Sequence, residues 1–210
     1  MPGTSKKLRE LLEPVRIREI GEAALRVVSR KGLEGMTMQE IADEAGLAKG
    51  TLYLYFDSRE ELVVHVAESA FQELHLAVTE ALGREGTFPD RLAAATLTHV
   101  EFFEHRRDLF RLFLSVAHPG PGADHSARHH RSGHPLYRAY LDLFASFFAA
   151  GQARGEIRPF PPDRLALFVA EGLAGLILRR LGETDPPPVE EDVRLVVDAL
   201  TGGIHVRRTP

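Results

Sequence analysis

The sequence predicts an all-α chain, on three observations. Apolar residues recur at intervals of three and four over most of its length, the mark of helices with one buried face. Period-two alternation is absent over any useful stretch. The few Pro/Gly-rich breaks fall where the helical periodicity stops. With 210 residues, 44% of them hydrophobic and 27% charged, the chain can bury a real core and is neither disordered nor fibrous. No apolar run reaches the ~18 residues of a spanning helix; Leu165–Leu181 comes nearest, and Arg164, Glu171, Arg179 and Arg180 punctuate it. Met1–Glu13 carries Lys6, Lys7 and Arg9 but no apolar core of a secretory signal. Zero cysteines exclude disulfides, thiol catalysis and thiolate metal sites. A soluble, cytoplasmic chain with no membrane partner and no cofactor is expected.

The first element is Val15–Lys31, where Ile17, Ile20, Ala24, Val27 and Val28 share a face. Pro14 suits its first turn and Gly32 its stop. Met1–Glu13 then reads as a flexible arm. A short helix opens at Thr37, with Glu40 three residues later completing a capping box. Ile41 and Ala45 face inward, Ala42 is small enough for a close helix crossing, and Gly46 supplies a left-handed stop with Leu47 plugging the corner. A second short helix follows, with Leu52 and Tyr55 turned toward the first. Ser58–Leu82 is long and amphipathic, and Glu60 and Glu61 complement its dipole. Further helices are predicted at about 89–105, 107–117, 135–155, 163–181 and 189–202. The breaks between them are His118–Pro135, Arg158–Pro162 and Asp185–Pro188.

Small residue, glycine turn and apolar plug at these offsets describe a helix-turn-helix over residues 37–56. In that motif the second helix enters the DNA major groove with its N-terminus leading. Lys49 and Thr51 sit in its first turn, where free backbone N–H groups favour phosphate. Gly50 admits close backbone approach, Tyr53 lies outside the inward face, and Thr37 could donate to the opposite backbone. Overall charge does not make this case. Net charge is −4; residues 1–62 carry 10 Lys/Arg against 11 Asp/Glu, and the remainder 16 against 19. With Glu40, Asp43, Glu44 and Asp57 around the motif, few net phosphate contacts and a shallow salt dependence are expected.

On these residues the chain resembles TetR-type transcriptional regulators. The likeness runs from Val15 to about Glu68 and is most specific in Lys49-Gly50-Thr51-Leu52-Tyr53, Tyr55-Phe56 and Ser58-Arg59-Glu60-Glu61-Leu62. Leu54 departs from the family pattern, which often places a polar or aromatic residue there, and so bears on base preference. The resemblance implies an N-terminal three-helix DNA-binding domain, residues 14–74, and a C-terminal helical ligand-binding and dimerisation domain, residues 75–205. It implies a homodimer reading a palindromic operator in double-stranded DNA, released by a small-molecule effector. The DNA-contacting set is Thr37, Lys49, Gly50, Thr51, Tyr53 and Tyr55, with Lys6 and Lys7 from the arm.

The rest of the chain offers candidates for the other two roles. Leu165–Leu181 is apolar nearly all round, so it needs burial on two sides. With the following helix it could form a two-fold four-helix interface through Phe168, Gly172, Gly175, Leu176, Val193 and Val197. Eleven of the 12 phenylalanines follow residue 62. Phe102, Phe103, Phe110 and Phe113 form one group, and Phe144, Phe147 and Phe148 another; both suit an aromatic-lined effector pocket or plain core. Glu101, His99 and Tyr140 are polar anchors for it. His118, His125, His129, His130 and His134 fall in one stretch, where the pairs His125/His129 and His130/His134 could chelate a metal if helical, but the surrounding Gly and Pro favour a solvated loop, and no metal is expected. An enzyme finds no support, since phosphate loop, nucleophile elbow and metal-ligand helix are all missing. A helical adaptor that binds protein would be told apart by failing to bind DNA.

Overall fold

In the computed structural model, residues 3–117 and 135–204 are described, and all nine elements among them are helices. They are α1 (Gly3–Lys31), α2 (Met38–Glu44), α3 (Lys49–Leu52), α4 (Arg59–Leu82), α5 (Phe88–Glu104), α6 (Arg107–Ala117), α7 (Pro135–Ala153), α8 (Pro162–Gly182) and α9 (Val189–Ile204). No helix among the described residues is long and apolar enough to cross a membrane. The chain forms two compact units. One runs through Ser69 and takes in α6 from Asp108; the other runs from Ala70 to Arg107 and includes α7, α8 and α9.

The first helix corrects one expectation. Instead of a flexible arm ending at Pro14, α1 begins at Gly3 and carries Pro14 inside it. Lys7-Leu8-Arg9-Glu10-Leu11-Leu12-Glu13 is a run of strong helix formers, which outweighs the one hydrogen bond a proline removes. The buried stripe is as the spacing predicts: Ile20, Ala24, Val27 and Val28 are core. Gly32 (φ 73°) closes α1, its N–H donating to the Val28 carbonyl at 2.8 Å. Close packing follows at Gly21, where an added Cβ would lie 3.3 Å from Val66 of α4.

In the second unit, Thr87 and Asp90 cap α5 reciprocally. Helix α5 packs against α8 and α9, and α7 against α8. The buried face of α8 is Ala166, Val169, Ala170, Leu173, Ile177 and Arg180. That last residue is an unexpected member. The sequence presents Arg180 as an interruption of an apolar run, yet it is 4% exposed. Its guanidinium donates to Asp192 at 2.7 Å, to Glu104 at 2.6 Å and to the Pro187 carbonyl at 2.9 Å. Burial opposes its charge, and its hydrogen bonds to the Glu104 and Asp192 carboxylates more than offset this, so its pKa is raised. One arginine thereby joins α5, α8 and α9.

Candidate functional site

The reading head is built from its caps outward. Thr37 Oγ1 accepts the Glu40 amide, and the Glu40 carboxylate accepts the Thr37 amide at 3.0 Å. Ile41 and Ala42 are fully buried. At the corner, the Gly46 amide donates to Asp43 at 3.2 Å and the Leu47 amide to Ala42 at 2.8 Å. These are the nested bonds of a Schellman stop, which requires the positive φ that Gly46 adopts at 66°. Leu47 plugs the turn, half-buried.

Helix α3 is shorter than its role suggests, four residues from Lys49 to Leu52. Helical hydrogen bonding nevertheless persists beyond it, with Leu54 N–H donating to Thr51, and Tyr55 and Phe56 N–H to Leu52, at 3.0 to 3.1 Å. Two anchors hold the segment down: Leu52 is 0% and Phe56 4% exposed. Phe56, whose ring lies 5.3 Å from that of His65, is a core residue that the motif reading passed over. Tyr55 is half-buried. Lys49, Gly50 and Tyr53 are exposed, and Thr51 is half-buried. Nothing lies within 4 Å of a Cβ built on Gly50, and the Lys49 ammonium sits 6.0 Å from the Tyr53 ring centroid.

The carboxylates around the motif are largely occupied. Glu44 accepts Arg26 at 2.7 Å and Arg30 at 2.5 Å, and Asp43 accepts Gln39 at 2.8 Å. Glu40 pairs with Lys31 and also accepts the Thr37 hydroxyl at 3.0 Å. Lys31 and then Thr37 hold the Glu40 pKa below the usual carboxylate range, as Arg30 and then Arg26 do for Glu44. The proton Thr37 could offer to DNA is therefore engaged within the cap. Arg59 is a residue whose task the sequence did not reveal. Its guanidinium donates to the Leu33 carbonyl at 2.9 Å and the Met36 carbonyl at 3.5 Å, fixing the α1–α2 connection to the start of α4. At that start, Ser58 Oγ accepts the Glu61 amide at 3.0 Å. Helix α1 includes Lys6 and Lys7 in its backbone; their side chains, and that of Phe113, lie outside the described residues. So do His118, His125, His129, His130 and His134.

The model for bacterial regulatory proteins of the tetR family matches residues 20–66, which span α2 and α3. The HTH-type transcriptional regulator BetI of Rhizobium meliloti (strain 1021) is 34% identical over 200 residues, 93% of this chain and 92% of that protein. The chain belongs to the TetR family. Among solved structures, FadR from Bacillus subtilis, a transcriptional regulator in complex with stearoyl-CoA, superposes with a TM-score of 0.75 at 20% identity, covering 90% of this chain and 99% of that one. A Rhodococcus sp. RHA1 protein superposes at 0.73 and 27%, covering 91% and 96%. The chain is accordingly a DNA-binding transcriptional regulator with a helix-turn-helix head.

In the body of this TetR-family regulator, Phe102, Phe103, Phe144, Phe147 and Phe148 meet in one continuous run. Phe88 stacks on Phe147 at 4.7 Å, Phe147 meets Phe148 at 5.7 Å, and Phe148 meets Phe144 at 6.3 Å. Phe144 contacts Tyr140 at 5.3 Å, Tyr140 contacts His99 at 5.5 Å, His99 contacts Phe103 at 5.6 Å, and Phe103 contacts Phe102 at 5.2 Å. Phe102 and Phe103 are thus joined to Phe144, Phe147 and Phe148 through His99 and Tyr140. Phe71 also packs on Tyr140, at 5.6 Å. Phe71 is alone on α4 and Phe88 lies at the far end of α5 from Phe102 and Phe103, so neither belongs to a cluster along the sequence. Phe110 is buried in the other unit.

His99 and Tyr140 share a hydrogen bond through Nδ1 and the hydroxyl. Burial pushes His99 down to about 3 and raises Tyr140, so both are neutral. One turn before His99, the buried Thr96 hydroxyl has no hydrogen-bond partner. Glu101 is half-buried. Helix α8 has a second, open side: Phe168 is 69% exposed, with Leu167 and Leu178 also exposed. Gly172 and Gly175 face open space, while Leu176, Val193 and Val197 are half-buried.

Proposed function

We propose that this protein is an effector-released repressor that binds a palindromic operator as a homodimer. Residues 14–74 form its reading head and 75–205 its regulatory body. The observation that carries this reading is the outward face of the α3 segment. Lys49, Gly50, Thr51 and Tyr53 are presented there on a turn anchored by Leu52 and Phe56. A lysine and a tyrosine hydroxyl suit phosphate positioning, and the bare Gly50 backbone lets the segment sit deep in the groove. Tyr55 and Thr37 flank that face, and Lys6 and Lys7 add phosphate contacts from α1.

Dimerisation is assigned to the open side of α8 with α9, through Phe168, Gly172, Gly175, Leu176, Val193 and Val197. Exposed large apolar side chains on consecutive helices support it, because a patch of this kind is costly to leave in water. The effector is assigned to the aromatic run of Phe102, Phe103, Phe144, Phe147 and Phe148. A largely apolar effector with one neutral polar group suits the uncharged His99–Tyr140 pair and the unpartnered Thr96 hydroxyl. FadR of Bacillus subtilis, a structural neighbour, was solved with stearoyl-CoA, which accords with an acyl-type ligand. Release follows if the effector binds the DNA-incompetent arrangement more tightly. Selection of bound fragments from random duplex DNA tests the reading. An inverted repeat with half-sites a whole helical turn or more apart is expected; recovery of no sequence, or of an asymmetric one, would overturn it.

A further inference from the structure

Leu54 is 81% exposed, more than any other large apolar side chain among the described residues. It is not a mobile ornament. Its amide donates to the Thr51 carbonyl at 3.1 Å, and it stands two residues from each of the buried anchors Leu52 and Phe56. At about 100° per residue, a position two away from both lies opposite both. The same geometry puts Leu54 on the face of Gly50 and Thr51, four and three residues earlier. Next to it, Tyr53 is 43% exposed. Leu54 is therefore an apolar knob, held at its backbone, on the face it shares with the bare Gly50 backbone and the Thr51 hydroxyl.

A leucine here gains nothing from phosphate or from the donors and acceptors of base edges. The major groove displays a single apolar group, the C5-methyl of thymine. We propose that Leu54 is a specificity-determining residue that selects thymine at one position of each half-site by burying that methyl. The proposal rests on the reading of α2–α3 as the groove-docking head and deepens it.

Deoxyuridine differs from thymidine only by the methyl, so it isolates the contact. Starting from the operator recovered by selection, each dT is replaced in turn by dU, symmetrically in both half-sites, and affinity is measured by fluorescence anisotropy. Wild-type protein is expected to lose about fourfold per half-site, about fifteenfold for the pair, at one position. Leu54→Ala should bind the parent operator more weakly and show no dU effect at that position, while circular dichroism matches wild type. Leu54→Gln should shift the base selected there away from thymine. The proposal is overturned if no dT→dU change weakens wild-type binding, or if Leu54→Ala keeps the same dU sensitivity. It is overturned too if Leu54→Ala weakens all duplexes equally with wild type indifferent to dU. Failure of the wild type to bind any duplex would instead remove the DNA-binding reading itself, and with it this one.

Discussion

The two units hold their charges in opposite ways. Around α2, the pairs Arg26–Glu44, Arg30–Glu44 and Lys31–Glu40 lie at the surface, their basic side chains 51 to 55% exposed. In the body, the side chains of Arg180 and Asp192 are almost wholly buried and bridge three helices with Glu104. Surface pairs contribute at most about 1 kcal/mol and fade with salt, whereas removing one partner of a buried pair costs about 3–5 kcal/mol. A head with shallow, replaceable pairs keeps its polar groups available to a polyanion. A body with a buried pair is fixed in one arrangement of α5, α8 and α9.

The largest effect should therefore fall in the body. Asp192→Ala leaves Arg180 without its closest buried partner on α9 and is expected to destabilise the fold by about 3–5 kcal/mol in denaturant titrations. A loss below about 1 kcal/mol would erase the contrast between the units.

The next effect is a pH dependence, again from the body. The folded pKa of His99 is about 3, below the ordinary value of about 6.5 expected in the unfolded chain. Between these values the unfolded chain holds a proton that the folded one does not, so stability falls as pH falls from about 6.5 toward 3. The slope reaches at most about 1.4 kcal/mol per pH unit. Over pH 5 to 6.5, where ordinary carboxylates remain ionised, melts should show this slope, and His99→Asn should flatten it. A wild type equally stable across that window would show that His99 is charged or exposed.

The smallest effect belongs to the head. Glu44→Gln removes the shared partner of Arg26 and Arg30 and should shift the denaturation midpoint only slightly, less at high salt. Freed from Glu44, the two arginines should steepen the salt dependence of DNA binding. A stability loss comparable to that of Asp192→Ala would equalise the units.

The same division governed how much the sequence disclosed. The head was legible because its constraints are local: Thr37 with Glu40 and Gly46 with Leu47 each act within six residues, and the structure contains both. Helix order in the body was legible from periodicity for the same reason. What stayed hidden depended on partners distant in sequence. Arg180 looks like a polar interruption until Glu104, 76 residues earlier, meets it. Phe88 and Phe71 gain meaning only from Phe147 and Tyr140 across the unit. Arg59 reads as one residue of a motif, although its guanidinium reaches back to Leu33. The start of α1 is hidden for another reason: Pro14 on its own reads as a first helical turn, whereas the helix formers before it carry α1 back to Gly3.

If the anchored turn after Gly46 is the surface that meets DNA, Lys49→Ala should reveal it. With circular dichroism and oligomeric state unchanged, binding should weaken on the selected operator and on unrelated duplex alike. The slope of log affinity against log salt should fall by about one for each lysine removed from the DNA-bound assembly. Affinity and salt slope identical to wild type on both duplexes would place that surface elsewhere.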